Sequence, residues 1–394
     1  MGPGGGPAEP EWPELSKQSY EQARARFNVL DVDGAKTAIE SAIVAEPDRA
    51  AIRILAAHIA LSQMQYEEAL QQLRGLSSSQ ATGLRARALW YSGQVAAAAE
   101  ELDRLLADPE VEDGWASGVS ALARTGGGRE PFRLTGSLLA VSEMPRLPIP
   151  SLIVPVELNG EQVLAMIATG SPEVVLDSPK EQPSWVSLRF ARRLEVKDVP
   201  ALGRDLSGLA KRVGAPVRLL LGVNLLRRLN ATFDFHAGQF VVRSFAPPPP
   251  PRASAIDVSY IKGGGMVMRS RFGVEPTSPA ASFLVDTSVL FPLALSDAAW
   301  NKTGADPATF HAVAGDAKLS QGVVPGLTLG SFSLPGIPGI RGMNFSDLSQ
   351  GGGIELDGVI GAALMAEFRV SLVDSGRTLW LEQMPTPAVS AVAP

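Results

Sequence analysis

Hydrophobic positions recur with two different spacings along the chain, and the change of spacing divides the sequence. From about residue 14 to residue 125, Ala and Leu alternate with Glu, Gln and Arg in the manner of amphipathic helices. After Gly126, short runs of Val, Ile and Leu are separated by Pro, Gly and Asn, which is typical of strands and turns. The pattern predicts a helical region followed by a β-rich region.

The helical region contains a repeated unit. Ala-rich helices recur at Ala38, Ala69 and Ala98, with spacings of 31 and 29 residues, and Pro47 and Pro109 each end such a helix. The unit resembles the tetratricopeptide repeat, although its period is shorter than that family's repeat of about 34 residues. The resemblance implies about three helical hairpins. An irregular helical bundle is the alternative.

The β-rich region is divided by a run of five prolines, Pro247 to Pro251, into two halves with the same landmarks. An apolar strand ends in Ala-Thr-Gly at 168–170 in the first half and in Asp-Thr-Ser at 286–288 in the second. A later apolar run closes on Gly222 in the first half and on Gly361 in the second. A short helix and a hairpin with an Asp-containing turn then complete each half. Four landmarks in the same order indicate an internal duplication.

From about residue 145 to 384 these segments resemble the retropepsin-like aspartic proteases, and their pairing in one chain resembles the two-lobed pepsin arrangement. The resemblance implies a multidomain fold class, with all-α tetratricopeptide-like hairpins followed by two all-β retropepsin-like lobes related by a pseudo-twofold axis. The expected domains are a tether (1–13), a helical domain (14–125), a linker (126–145), lobe one (146–245), a polyproline linker (246–253), lobe two (254–384) and a tail (385–394).

The resemblance assigns roles to individual residues. Asp286 is one catalytic aspartate, and position 168 is where the other is expected. Two adjacent carboxylates that share one proton can activate a water molecule for attack on a peptide carbonyl. Thr169 and Thr287 are expected to hydrogen-bond across the lobe interface and hold the two loops together. The remaining expected supporting residues are Gly170, Ser171, Ser288, Gly222 and Gly361.

Two positions depart from the family pattern. Ser288 stands where the family has glycine, and Ala168 stands where the first aspartate is expected. A methyl group cannot hold a proton or bind the nucleophilic water, so the chain is expected to have little or no peptidase activity. Because Thr169, Gly170 and Ser171 are intact, the pattern favours an introduced Asp→Ala substitution that inactivates an endopeptidase. The alternative is a natural pseudoprotease that acts as a peptide-binding scaffold.

Two β-hairpins are expected to cover the cleft as flaps. In the second half the hairpin is predicted around Phe310 and the following residues, with Gly315 at its tip. In the first half it is predicted near residues 184–190, where Trp185 is a candidate substrate contact; an ordinary packed aromatic residue is the alternative.

Composition excludes several other functions. The chain has 394 residues, no cysteine and a net charge of −6, which rules out thiol chemistry and does not favour nucleic-acid binding. No zinc-protease, serine-hydrolase or nucleotide-binding signature is present, and we expect neither a metal nor another cofactor. No apolar run is long enough to predict a transmembrane helix. The expected partners are a peptide or protein substrate between the lobes and a protein bound by the helical repeats, with the chain itself a monomer.

The first residues, Met1-Gly-Pro-Gly-Gly-Gly-Pro, do not have the composition of a signal peptide. They are typical of a flexible tether, as in a lipoprotein trimmed after its lipidated cysteine. This favours a bacterial periplasmic or cell-envelope location, with a cytoplasmic location as the alternative.

Overall fold

The computed structural model describes residues 12–145, 147, 152–313, 316–345 and 353–383. Its first part is helical, and each helix packs against the next along the chain. Buried alanines between neighbouring helices let their backbones approach closely. Three of the helices begin at residues whose side chains accept a backbone N–H of the first turn: Asp31, Ser78 and Asp113. The helices are α1 (Glu14–Asn28), α2 (Val32–Ala45), α3 (Ala50–Ser62), α4 (Tyr66–Gln72), α5 (Ser79–Tyr91), α6 (Val95–Leu106) and α7 (Gly114–Thr125).

The second part is β-rich, and its described residues include four short α-helices. The strands before the proline run are β1 (Arg133–Gly136), β2 (Leu139–Glu143), β3 (Ile153–Leu158), β4 (Glu161–Ala168), β5 (Val174–Asp177), β6 (Ser184–Phe190), β7 (Leu194–Arg204), β8 (Val217–Gly222), β9 (Thr232–Asp234) and β10 (Gln239–Arg243). Those after it are β11 (Ser254–Ile261), β12 (Gly265–Phe272), β13 (Ala280–Asp286), β14 (Leu293–Leu295), β15 (His311–Val313), β16 (Asp316–Leu329), β17 (Phe332–Arg341), β18 (Gly358–Gly361), β19 (Phe368–Val373) and β20 (Thr378–Gln383). The helices are α8 (Ser207–Val213), α9 (Val223–Leu226), α10 (Asp297–Thr303) and α11 (Ala362–Met365).

The strands form a closed barrel and a large sheet. Six strands in the order β7-β5-β8-β4-β3-β6 close into a barrel because β6 also pairs with β7, and β1 extends this sheet at β7. The other sheet has thirteen strands in the order β15-β16-β17-β14-β18-β13-β12-β11-β20-β19-β9-β10-β2. One continuous apolar core, which includes Leu188, Phe240 and Phe283, fills the barrel and lies against the large sheet.

This architecture overturns the predicted fold class. The described strands do not divide into two separate all-β lobes, because β9, β10 and β2 belong to the same sheet as the strands that follow the proline run. The joint is the antiparallel pairing of β9 with β19, in which Phe233 lies opposite Val370. Within the large sheet, β12 also pairs with β16, so β12-β13-β18-β14-β17-β16 close on themselves while remaining joined to the other strands. Both halves also contain helices. The segment expected to be a linker, 126–145, supplies β1 and β2.

The helical region is packed against the β-rich region. Helices α1 to α3 share a core cluster with strands of the large sheet, through contacts that include Ile59 and Val267. Helices α5 to α7 share another with β6 and β7, through Trp185 and Leu202. Among the described residues, no helix has both the length and the apolar character that a membrane span requires.

Candidate functional site

The candidate site is formed where two matching pairs of parallel strands end. Strand β4 pairs with β8 so that Ala168 lies opposite Gly222. Strand β13 pairs with β18 in the same way, and Asp286 lies opposite Gly361. Both pairs stop at these residues, so the loops that follow Ala168 and Asp286 leave their sheets at equivalent points.

Two threonines join these loops by reciprocal hydrogen bonds. The Thr287 hydroxyl donates to the Ile167 carbonyl oxygen at 2.8 Å and lies 3.3 Å from the amide nitrogen of Thr169, which donates to it. The Thr169 hydroxyl donates to the Val285 carbonyl oxygen at 2.8 Å and accepts from the Thr287 amide at 3.1 Å. All four bonds are buried. The residues directly before the two threonines, Ala168 and Asp286, are therefore brought to one junction.

The Asp286 carboxylate is half-buried and held in a defined orientation. Its Oδ1 accepts hydrogen bonds from the Ser288 amide at 2.9 Å and the Ser288 hydroxyl at 2.7 Å. Its other face lies against Gly170, where an added Cβ would collide with Cγ and Oδ2 of Asp286. Glycine at position 170 is therefore required by the close approach of this carboxylate. Ser288 supplies both hydrogen bonds.

Position 168 is closed from solvent in this chain. The Ala168 side chain has only 1% of its surface exposed and ends a strand whose last four residues are buried. Its carbonyl oxygen accepts the Ser171 amide at 3.0 Å, which makes a tight turn at the start of the loop. The loop backbone is thus fixed although residue 168 has no carboxylate.

Gly222 and Gly361, which lie opposite Ala168 and Asp286, each permit a close backbone contact in their half. A Cβ at Gly222 would collide with the carbonyl oxygen of Glu173, and a Cβ at Gly361 would collide with that of Phe291. The loop after Ala168 is also hydrogen-bonded to the start of α9, because the Val223 amide donates to the Ser171 carbonyl at 2.9 Å. These contacts make Glu173 and Phe291 equivalent positions, each five residues after the residue that ends its strand.

The predicted flap residues do not all lie at this junction. Trp185 packs against the helical region: its indole N–H donates to the Leu122 carbonyl oxygen at 3.1 Å and to the Thr125 hydroxyl at 3.3 Å. These contacts are those of a packed aromatic residue, which was the alternative interpretation of Trp185. The helical region occupies that face of β6, which was expected to be a flap over the cleft.

In the second half, β15 and β16 form the hairpin at the predicted position, with Val313 opposite Asp316. Gly315, the expected tip, lies outside the described residues. Phe310 packs edge-on against Trp300, with ring centroids 4.8 Å apart. It therefore anchors the base of the hairpin.

Sequence reasoning missed a buried carboxylate beside the site. Glu173 is 2% exposed, and its Oε1 accepts the indole N–H groups of both Trp90 and Trp115, each at 3.2 Å. Burial raises the pKa of the Glu173 carboxyl, while the two indoles and Arg227 act in the opposite direction. The nearby Asn224 side chain also lowers this pKa. Neither polar atom of that side chain has full hydrogen-bond geometry with a described residue. The available signal was a glutamate within the apolar run at 172–176.

Arg227 is the buried cation near this carboxylate. It follows α9, is 3% exposed, and has one hydrogen bond among the described residues, to the sulfur of Met64 at 3.1 Å. Its guanidinium carbon lies 5.9, 5.7 and 5.7 Å from the ring centroids of Tyr66, Tyr91 and Tyr260. The aromatic rings and the charge of Glu173 offset part of the desolvation of this cation.

No protein-family model matches the chain, and no curated protein is similar enough to match it. Within the described part of the chain, no cluster of three His, Asp or Glu side chains has the arrangement of a metal site. At the junction, Ser288 and Gly170 orient the Asp286 carboxylate, and position 168 carries a methyl group.

Proposed function

We propose that the junction of residues 168 and 286 is the active site of an aspartic endopeptidase, and that this chain is an inactive form of it. The observation that carries the proposal is the set of reciprocal Thr169–Thr287 hydrogen bonds. An enzyme that needs two carboxylates in contact must hold the ends of two separate strands together, and these bonds do so. The contact between Asp286 and Gly170 further supports the assignment, since it directs the carboxylate toward the opposite loop.

With an aspartate at position 168, the proposed chemistry follows from two carboxylates that share one proton. The ionised carboxylate removes a proton from a bound water molecule, and the water oxygen attacks the peptide carbonyl carbon. The protonated carboxyl gives its proton to the carbonyl oxygen, which forms a neutral tetrahedral intermediate. The intermediate then collapses, with cleavage of the C–N bond and transfer of a proton to the leaving amine. Ser288 keeps Asp286 in orientation throughout.

In this chain the methyl group of Ala168 can perform none of these proton transfers. The proposed state is a protein that binds an extended peptide at the junction and does not hydrolyse it. Whether Ala168 results from an introduced Asp→Ala substitution or from natural loss of the aspartate is decided by the codon for residue 168 in the parent gene.

The experiment that tests the proposal restores the carboxylate. We expect Ala168→Asp to cleave casein or a peptide library between acidic and neutral pH, and a statine-type inhibitor to block the cleavage. Ala168→Asn is the matched control, because asparagine has nearly the same shape as aspartate and cannot exchange a proton. The double variant Ala168→Asp with Asp286→Asn should also be inactive. A well-folded Ala168→Asp protein with no turnover over this pH range contradicts the endopeptidase proposal.

A peptide-binding scaffold is the second candidate function, and it is favoured by the packing around Ala168. The side chain is buried and both threonines are fully hydrogen-bonded, so the junction is a stable structure without a second carboxylate. Under this proposal the partners are a peptide or protein bound at the junction and a protein bound by the helical region. Peptide binding by the unmodified chain, together with an inactive Ala168→Asp variant, is the result expected for a scaffold.

A further inference from the structure

The loop that follows residue 168 is attached to the helical region through the side chain of Glu173. Trp90 at the end of α5 and Trp115 at the start of α7 both donate their indole N–H groups to Glu173. These two helices are consecutive neighbours of α6 and belong to one apolar cluster. Helices far from residue 168 in sequence thus hold one side chain of its loop.

The equivalent position in the second half shows what is special about Glu173. Phe291 occupies the same place relative to Gly361, and it is 41% exposed. Glu173 is 2% exposed, and its side chain has a hydrogen-bond acceptor where that of Phe291 has none. A buried carboxylate is tolerated only when donors satisfy it, and here both of its Oε1 donors come from the helical region. The first loop therefore has a polar, hydrogen-bonded attachment to the helices at this position, whereas the second loop has an exposed phenylalanine there.

A short hydrogen-bonded path connects Glu173 with residue 168. The Glu173 carbonyl oxygen accepts the Ser171 hydroxyl at 3.0 Å, and the Ser171 amide donates to the Ala168 carbonyl at 3.0 Å. The neighbouring Pro172 carbonyl accepts the Asn224 amide at 3.1 Å. A shift of Glu173 would therefore move the backbone that sets the direction of the side chain at position 168.

We propose that Glu173 is a positioning residue through which the helical region fixes the loop that carries residue 168. The helices are then a structural component of the site and not only a module that recruits substrates. The catalytic consequence rests on the endopeptidase function proposed above. The effect on the loop itself does not, since the contacts exist in the chain with Ala168.

The first test measures the loop in the unmodified chain by hydrogen exchange. Replacing both Trp90 and Trp115 with Phe keeps aromatic packing and removes the two donors. We expect amide exchange at Ser171 to accelerate by at least about tenfold. Val289, whose amide donates to Asp286 in the matched loop at 3.1 Å, should exchange at an unchanged rate. Trp185→Phe is the matched control, because it also removes an indole hydrogen bond between the two regions and leaves Glu173 untouched.

The second test uses the Ala168→Asp protein. There we expect the Trp90→Phe, Trp115→Phe double change to lower kcat by roughly tenfold to a hundredfold, with KM altered less than about threefold. Glu173→Leu should act similarly, and Glu173→Gln should retain most of the activity because its amide oxygen still accepts both indoles. Trp115→Phe alone is the milder variant if the double change prevents folding.

The outcomes separate the two proposals. If Ala168→Asp has no turnover, the endopeptidase function fails, and the exchange rate at Ser171 still decides the role of Glu173. If the Trp90, Trp115 double variant exchanges at Ser171 no faster than Trp185→Phe does, the positioning role is refuted. Equal kcat values for Glu173→Leu and Glu173→Gln would refute it as well.

Discussion

Replacing Thr287 with Val tests the geometry of the junction without relying on activity. Valine has nearly the shape of threonine, so the change creates no cavity and removes only the hydroxyl. That hydroxyl bonds the Ile167 carbonyl at 2.8 Å and accepts the Thr169 amide at 3.3 Å. Ile167 is completely buried and Thr169 is 2% exposed, so neither group can turn to water instead.

The expected cost follows from the two buried groups that lose their partner. An unsatisfied buried donor or acceptor costs about 1–3 kcal/mol, so Thr287→Val should lower the free energy of unfolding by about 2–6 kcal/mol. Thr287→Ser keeps the hydroxyl and loses one buried methyl group, which costs about 1 kcal/mol. The difference between the two variants therefore isolates the hydrogen bonds.

Urea denaturation followed by tryptophan fluorescence measures both variants under the same conditions. The slope of the free energy with urea should be unchanged, and only the midpoint should move. Thr169→Val should behave like Thr287→Val, because its hydroxyl makes the equivalent pair of bonds. If Thr287→Val and Thr287→Ser agree to within about 0.5 kcal/mol, the hydroxyl bonds do not hold the loops, and the site derived from them is wrong.

Three further predictions concern single residues. Burial raises the Glu173 pKa, so the free energy of unfolding falls as pH rises from 4.5 through the pKa of Glu173 in the folded state. Urea titrations should show a loss of up to about 1.4 kcal/mol per pH unit, and Glu173→Gln should remove it. Burial lowers the pKa of His58 to about 3, so the free energy of unfolding falls as pH drops from 6.5 towards 3, by about 5 kcal/mol in total. His58→Gln should make the free energy of unfolding nearly independent of pH over this range. Gly170→Ala should cost about 1–3 kcal/mol, because its Cβ collides with the Asp286 carboxylate, whereas an unchanged melting temperature would contradict that contact.

The sequence was sufficient to identify the residues at the junction because their signal is local. Thr169 and Thr287 each follow an apolar strand, and the glycine-closed runs that end at Gly222 and Gly361 come later in each half. Parallel pairing of β4 with β8 and of β13 with β18 brings these local motifs together. The same reasoning identified the divide between the helical and the β-rich regions, since helical and strand spacings of apolar residues differ.

The sequence was insufficient wherever the structure depends on packing between distant elements. β2 (Leu139–Glu143) is only five residues long, and its outer positions are exposed, so little distinguishes it from a linker. The pairing of β9 with β19 joins short strands about 140 residues apart, and no local pattern specifies it. Trp185 was ambiguous for the same reason, because an aromatic residue at the edge of a strand can face a substrate or a helix. In the folded structure, its hydrogen bonds to α7 show that it packs against the helical region.

If position 168 carries the second carboxylate of the proposed enzyme, the structure explains how that carboxylate can be lost while the loops stay in place. The two loops are joined by bonds of Thr169 and Thr287, and the first loop is further held at Glu173 by Trp90 and Trp115. The side chain at position 168 takes part in none of these bonds. The scaffold of the site and its proposed chemistry are thus separable, because backbone and threonine contacts fix the loops while residue 168 supplies only the titrating group. An Asp→Ala change at this position would therefore remove proton transfer and leave the loops in place, which is the arrangement seen around Ala168.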